Sequence, residues 1–307
     1  MVNLGAILLH LGLLLIVPPL LPGIIAKVKA IAAGRKGPPL VQTYRDIWKL
    51  LHKGAVYSRT TTWIFRAGPI VTLAAAVAAG LLTPLVGTVA PLGFVGDVVL
   101  FAYFLGLGRF FTMAAALDTG SSFEGMGASR EAAFSALAEP TLFLVLAILC
   151  IPAKSPSFAA AWAALPWQTW IAAHPPLLAA TVALFVVLLA ENSRIPVDDP
   201  NTHLELTMIH EVMVLDHGGP DFAFILYGSS IKLFLFASLL VHILAPIPAG
   251  FAGLPVFLAG VLTTAVVVGI VESITARVRL VRVPQFLVGA SVVAALGLLM
   301  LVFRGAL

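Results

Sequence analysis

The sequence predicts an all-α integral membrane protein: one polytopic membrane domain over residues 1–307, with about eight transmembrane helices and short amphipathic helices in the inner loops. Three observations carry that prediction. Mean hydropathy is +1.06, and only 10% of residues are charged, where a soluble domain carries about a quarter. Apolar runs long enough to cross a bilayer, which takes roughly 20 residues, recur along the whole chain. Lysine and arginine fall almost entirely in alternate connections, as topology-setting charges do.

The apolar windows, in order, are Leu4–Ile25, Ala67–Leu85, Val98–Leu117, Ala132–Ala153, Trp170–Ala190, Phe222–Leu244, Leu254–Ile274 and Val283–Val302. The first lacks a charged leader and a small-residue cleavage site, so it reads as a span rather than a cleaved signal. The fifth is interrupted by His174-Pro175-Pro176. The segment from Ala26 to Arg66 holds nine cations: Lys27, Lys29, Arg35, Lys36, Arg45, Lys49, Lys53, Arg59 and Arg66. Arg130, Arg194, Arg277, Arg279 and Arg282 share that side, against Lys154 and Arg304 on the other. Fourteen against two places both termini outside and the long loops inside. Trp162, Trp167 and Trp170 gather on the outer side, as interfacial tryptophans do.

Two inner loops are expected to carry helices. In Val41–Lys53 the apolar Val41, Tyr44, Ile47, Trp48 and Leu51 recur every three or four residues, which predicts an amphipathic helix on the membrane surface. The second loop, Glu191–Asp221, is a polar island holding seven of the fourteen carboxylates: Glu191, Asp198, Asp199, Glu205, Glu211, Asp216 and Asp221. Thr202-x-x-Glu205 reads as a capping box, predicting a helix from His203 to Leu215 that stops at Gly218-Gly219. Gly120–Gly127, GSSFEGMG, has no phosphate-binding lysine and reads as a flexible inner turn. No internal repeat is visible.

Charges inside the apolar windows are the first candidates for function, since each costs about 2.5 to 3.5 kcal/mol at a span's centre. Glu139 sits in the fourth window before Pro140, which frees a backbone carbonyl and favours a local kink. On a helix Glu131, Ser135 and Glu139 share one side. Glu272 lies near the inner end of the seventh window, Lys232 in the sixth and Arg109 in the third. Buried acids with basic neighbours can take up and release protons near neutral pH. The same charges read equally well as pairs that hold helices together. Glu191 and Arg130 lie at helix ends, where long side chains reach the interface.

Other chemistry is less favoured. The single cysteine, Cys150, cannot ligate an iron–sulfur cluster or build a disulfide framework, so any redox centre belongs to a partner. His203, His210 and His217 repeat at seven-residue spacing, not the i, i+4 spacing of zinc-binding helices. They read as surface or partner-facing histidines, and no metal site is predicted. Asp198-Asp199 reads equally as a cap for the following turn. The net charge of +4 comes without a basic arm or interleaved aromatics, so nucleic acid is not an expected partner.

Four segments together resemble a known family. GRKGPPLVQTYRDIWKLLHK (Gly34–Lys53), DTGSSFEGMGASREAAFSALAEP (Asp118–Pro140), the island, and ESITARVR (Glu272–Arg279) occur in the family's order and span essentially the whole chain. They resemble the membrane subunit that joins the hydrophilic arm to the membrane arm in complex I (the NADH dehydrogenase subunit 1 family) and in energy-converting nickel–iron (NiFe) hydrogenases. IPVDDPNTHLELTMIHE is similar to the hydrogenase branch, that of formate hydrogenlyase and hydrogenase-4. The quinone-reducing branch more often has alanine-proline-phenylalanine-aspartate there.

The resemblance implies a subunit of a prokaryotic plasma membrane complex with no cofactor of its own. Iron–sulfur (Fe–S) clusters and a Ni–Fe centre are expected in partner subunits. Those partners are a hydrogenase-like large subunit, an Fe–S small subunit and antiporter-like membrane subunits. It implies an ion-coupling path at Glu131, Glu139, Glu191, Glu205, Glu211 and Glu272, with Lys232 and Arg109 as the cations found in the spans. Docking is expected at Arg35, Lys36, Gln42, Arg45, Asp46, Lys49, Arg194, Asp198 and Asp199. Two alternatives stand beside this reading: a quinone-site subunit of a complex I-type enzyme, and a stand-alone secondary transporter. The absence of repeated halves and the concentration of charge on one side count against the transporter.

Overall fold

The computed structural model describes residues 4–165, 174–198, 208–248 and 252–305, and among them every regular element is helical. In order these are α1 (Leu4–Ile16), α2 (Leu20–Ala32), α3 (Gln42–Leu51), α4 (Trp63–Leu82), α5 (Asp97–Asp118), α6 (Ser122–Ala153), α7 (Phe158–Ala163), α8 (His174–Glu191), α9 (Gly219–Leu244), α10 (Gly253–Ile274) and α11 (Val283–Gly305). A 3-10 turn, Glu211–Val214, precedes α9, and another, Leu280–Arg282, leads into α11.

Every apolar window holds a helix, but not every one is a straight span. Among the described residues, six helical stretches are long and apolar enough to cross a bilayer: Trp63–Leu82, Asp97–Asp118, Ser122–Ala153, Gly219–Leu244, Gly253–Ile274 and Leu280–Phe303. The first window is instead a pair, α1 and α2, bent by 43°. The break falls at Val17-Pro18-Pro19, where two adjacent residues lack an N–H to continue the helix. The pair counts as a seventh span if taken as one. The fifth window contains α8, whose apolar part, Pro175–Glu191, is shorter. Its prolines fall in the first turn, where the missing N–H has no helical partner anyway.

The packing is tightest where small residues face each other. Helices α4 and α5 run side by side, with Thr72 Oγ1 3.0 Å from Thr112 Oγ1 and donating to the Gly108 carbonyl at 3.2 Å. The Asp118 carboxylate at the end of α5 accepts from Thr62 N at 2.6 Å, Thr62 Oγ1 at 2.9 Å and Phe65 N at 3.3 Å, capping the start of α4. Helix α2 packs on α10 at Gly269, where any Cβ would meet Val28 Cβ at 2.8 Å. That close approach brings Lys29 beside Glu272. The core beneath is aliphatic and aromatic, from Leu14 and Phe101 to Phe234, Phe236 and Phe257, all fully buried.

Three expectations are corrected. Most of the segment read as a flexible turn, Gly120–Gly127, is the beginning of α6, which starts at Ser122, ten residues before Ala132, and continues unbroken through Pro140. Tertiary packing outweighs the low helix propensity of its glycines: Glu124 is fully buried, and Gly127 lies against Ile209, Val212 and Met213. The helix expected over His203–Leu215 is not α-helical in its described part, which holds only the 3-10 turn. Trp162 is buried, not interfacial: α7 stacks it on His242, with ring centroids 4.8 Å apart. Trp167, Trp170 and the Thr202–Glu205 capping box lie outside the described residues.

Candidate functional site

Arg109 is the centre of the interior charge. It is the one basic residue of α5, and its guanidinium meets three carboxylates from two other helices. Nη2 donates to Glu191 Oε1 at 2.6 Å, Nε lies 3.3 Å from Glu131 Oε1, and Nη1 pairs with Glu139 Oε1. Glu131 and Glu139 come from α6, eight residues apart and on one side as expected, while Glu191 ends α8. Lys232, on α9, approaches Glu191 Oε2 at 3.5 Å. The arginine and Glu131 and Glu191 are sequestered, but the Glu139 side chain is 46% exposed on the flank of the subunit.

A second node joins the first through His210. Its Nε2 is 3.1 Å from Glu131 Oε2 and its Nδ1 3.3 Å from Asp198 Oδ2. Asp198 is nearly fully buried and also accepts from the backbone N–H groups of Ile209 and His210 and from Arg277 Nη2, the last at 2.9 Å. Arg130 Nη1 donates to the Met208 carbonyl at 2.8 Å, and the Glu124 carboxylate accepts from Asp216 N at 3.0 Å. The described part of the island is thus pinned to α6 at both ends. Burial pushes the Asp198 carboxyl up, but His210 and Arg277 outweigh it, and its pKa lies below the ordinary value.

A third node sits where α2 meets α10. Lys29 Nζ is 2.7 Å from Glu272 Oε2, and Arg194 Nη1 is 3.5 Å from Glu272 Oε1. Burial pulls the Arg194 guanidinium below its usual pKa, with Glu272 opposing that shift. All three nodes border a cavity of about 460 Å³ that is partly open and lined by α2, α3, α5, α9 and the island, with residues of α4, α6 and α10. Its wall is mixed: Ile25, Ala76, Phe104 and Leu105 alongside Lys29, Arg109, Glu131, Glu191, Arg194, His210, Glu211, Lys232 and Glu272.

The ion-coupling candidates therefore converge, except Glu205, which lies outside the described residues with Asp199 and His203. The docking candidates divide. Arg35, Lys36, Arg45 and Lys49 are exposed; Gln42 and Asp46, bonded to each other at 2.8 Å, turn toward the cavity. Arg194 and Asp198 are inside, because each has an interior partner of opposite charge close enough to offset its burial. The surface reading of the histidines is also corrected. His210 lies between two carboxylates, and His217 is buried against Phe65 with centroids 4.0 Å apart, its pKa lowered by burial to about 4. No metal-holding group of three His, Cys, Asp or Glu side chains occurs among the described residues. Sequence reasoning missed Lys29, Arg277 and His210 as members of the site. Lys29 alone had a legible signal, a cation at the inner end of an apolar run.

The fold and site define a multi-pass, all-α membrane subunit with a charged cavity at one end of its bundle. The chain belongs to the NADH dehydrogenase family, that of complex I subunit 1, whose model matches residues 4–303. It is 34% identical to hydrogenase-4 component C of Escherichia coli (strain K12) over 236 residues, 76% of this chain and 73% of the relative. It is 31% identical to formate hydrogenlyase subunit 4 of the same organism over 256 residues, 83% of this chain and 81% of the relative. Its fold matches a chain of the membrane-bound sulfane sulfur reductase, an archaeal respiratory membrane complex, with a TM-score of 0.83 at 24% identity, covering 97% of this chain and 100% of that one.

Proposed function

We propose that this chain is the non-redox membrane anchor and ion-coupling subunit of a NiFe hydrogenase-type complex related to formate hydrogenlyase and hydrogenase-4. On this reading it docks a hydrogenase-like large subunit and an Fe–S small subunit, which hold the Fe–S clusters and the Ni–Fe centre. It links their electron transfer to proton or sodium movement. Both termini face outside, and α3 and the island face the cytoplasm, an orientation supported by the fourteen-to-two cation bias.

The observation that carries the proposal is the sharing of Arg109 among Glu131, Glu139 and Glu191 beside the cavity. One cation serving three acids is not committed to any single pair. Protonating one carboxylate, or binding a cation to it, strengthens the arginine's hold on the others, which is what a stepwise ion path requires. The half-exposed Glu139 supports a neighbour on that flank: an ionisable group on a spanning helix is costly against hydrocarbon, and an antiporter-like membrane subunit would cover it.

In the assembled complex, Glu139→Gln is expected to abolish ion translocation while hydrogen turnover with soluble acceptors persists. Translocation at the parental rate in that variant would refute the path. The mixed lining and size of the cavity favour one second reading, a quinone site in a complex I-type enzyme. Nickel in the purified complex supports the hydrogenase reading; nickel-free complex inhibited by a quinone analogue supports the other.

A further inference from the structure

His210 occupies a position that a neutral ring cannot satisfy. A neutral imidazole has one N–H and one lone pair, so either tautomer would aim a lone pair at a carboxylate: Glu131 Oε2 at 3.1 Å or Asp198 Oδ2 at 3.3 Å. The imidazolium sets a positive charge between both: Nδ1 is within hydrogen-bond distance of Asp198, and Nε2 makes a close ion pair with Glu131 that is not aligned as a hydrogen bond. The backbone fixes this placement, because Asp198 Oδ2 also accepts from the N–H groups of Ile209 at 3.2 Å and His210 at 3.1 Å. The ring borders the cavity, so solvent protons can reach it.

Charged groups face His210 from every side. Glu131 comes from α6 with Arg109 behind it, Asp198 from the island with Arg277 of the segment after α10, Glu191 from the end of α8, and Lys232 from α9. Burial opposes protonation of the ring, and Lys232 adds to that, but Glu131 and Asp198 outweigh them. Its pKa is raised above the ordinary 6.5.

We propose that His210 is the proton-loading residue of the ion path, passing protons from the cavity to Glu131 while Asp198 holds its ring in place. This rests on the ion-path reading above. In the transfer, a small reorientation aligns Nε2–H with Glu131 Oε2, the Nε2–H bond breaks and a Glu131 Oε2–H bond forms. The imidazole is left neutral with its Nδ1–H still donated to Asp198, and its Nε2 lone pair then takes the next proton from cavity solvent. Glu131, now a neutral acid, weakens its hold on Arg109 Nε, and the guanidinium is left to Glu139 and Glu191. The histidine thereby couples proton uptake to the repartitioning of the central cluster.

The test compares the parent complex, His210→Gln and Glu139→Gln in sealed vesicles, measuring protons and sodium ions moved per electron pair across a pH series. Glutamine keeps hydrogen-bonding capacity but cannot titrate. His210→Gln is expected to lower the rate of proton translocation by roughly 100-fold, the scale of a lost acid–base group, and to remove the alkaline limb of its pH profile. If His210→Gln translocates with the parental rate and profile while Glu139→Gln does not, the loading role falls and the path stands. If both variants translocate normally, both ideas fall. Sodium movement without protons overturns the loading role. The parent supplies a measurement independent of any substitution: protons per electron pair should fall as pH rises through the raised histidine pKa. A ratio flat across that range overturns the proposal.

Discussion

At the scale of single residues, Arg109 shows how chemistry constrains substitution. Its planar fork offers five N–H donors, enough to meet three carboxylates at once, whereas an ammonium on a flexible stem reaches one or two. Arg109→Leu leaves the sequestered Glu131 and Glu191 without their main counter-charge, a loss worth about 3–5 kcal/mol where a buried pair is broken. Arg109→Lys should fall between. Thermal unfolding of the complex in lipid discs should rank parent, lysine and leucine in that order, and a leucine variant as stable as the parent would contradict the arrangement. Arg109, Glu131, Glu139 and Lys232 were legible in the sequence because a charge in an apolar run is conspicuous. His210 was not: its partner Asp198 is twelve residues away, and the helix that the capping box predicts gives no sign that the two meet. Lys29, Arg194 and Arg277 were counted as topology-setting cations, and only the fold shows that each answers a carboxylate.

Among elements, α6 and the island loop it carries decide the geometry. Any side chain at position 127 would meet Val212 Cγ1 at 2.4 Å, Met213 Cγ at 2.9 Å and the Ile209 carbonyl at 3.0 Å. The two side-chain contacts can yield, but the carbonyl belongs to the backbone that fixes His210. Gly127→Ala is therefore expected to lift the loop at a cost of about 1–3 kcal/mol, seen as faster amide exchange over residues 208–217. Unchanged exchange would show that the loop is seated by Asp198, Arg130 and Glu124 alone. The sequence made α3 legible, since its apolar residues recur at helical spacing and α3 runs Gln42–Leu51 as expected. It concealed the start of α6, because glycines that read locally as a turn serve close packing against residues some 85 positions later.

For the molecule as a whole, the apolar windows conveyed most of the fold, since they arise from the bilayer and need no knowledge of tertiary contacts. The bend at Pro18-Pro19 and the short α8 were not deducible from hydropathy, which does not register the backbone N–H that proline lacks. The exposed cations of the first inner loop define a surface that is spatially separate from the interior network. On the proposed docking role, charge reversal at Arg45 and Lys49 should release the partner subunits during purification without changing the subunit's own stability. A full subunit complement in that double variant would count against docking there. Reversal at Asp198, by contrast, should disturb the interior, because its carboxylate already serves His210, Ile209 and Arg277.

The Asp118 cap has a mechanical consequence. By tying the end of α5 to the start of α4, and with Thr72 and Gly108 joining the pair midway, it makes these two helices one rigid post. Arg109 is mounted on that post as on a stator, while the three acids it holds ride on α6 and α8. A change of pairing at Arg109 is therefore expected to shift α6 and α8 against the post rather than α4 against α5.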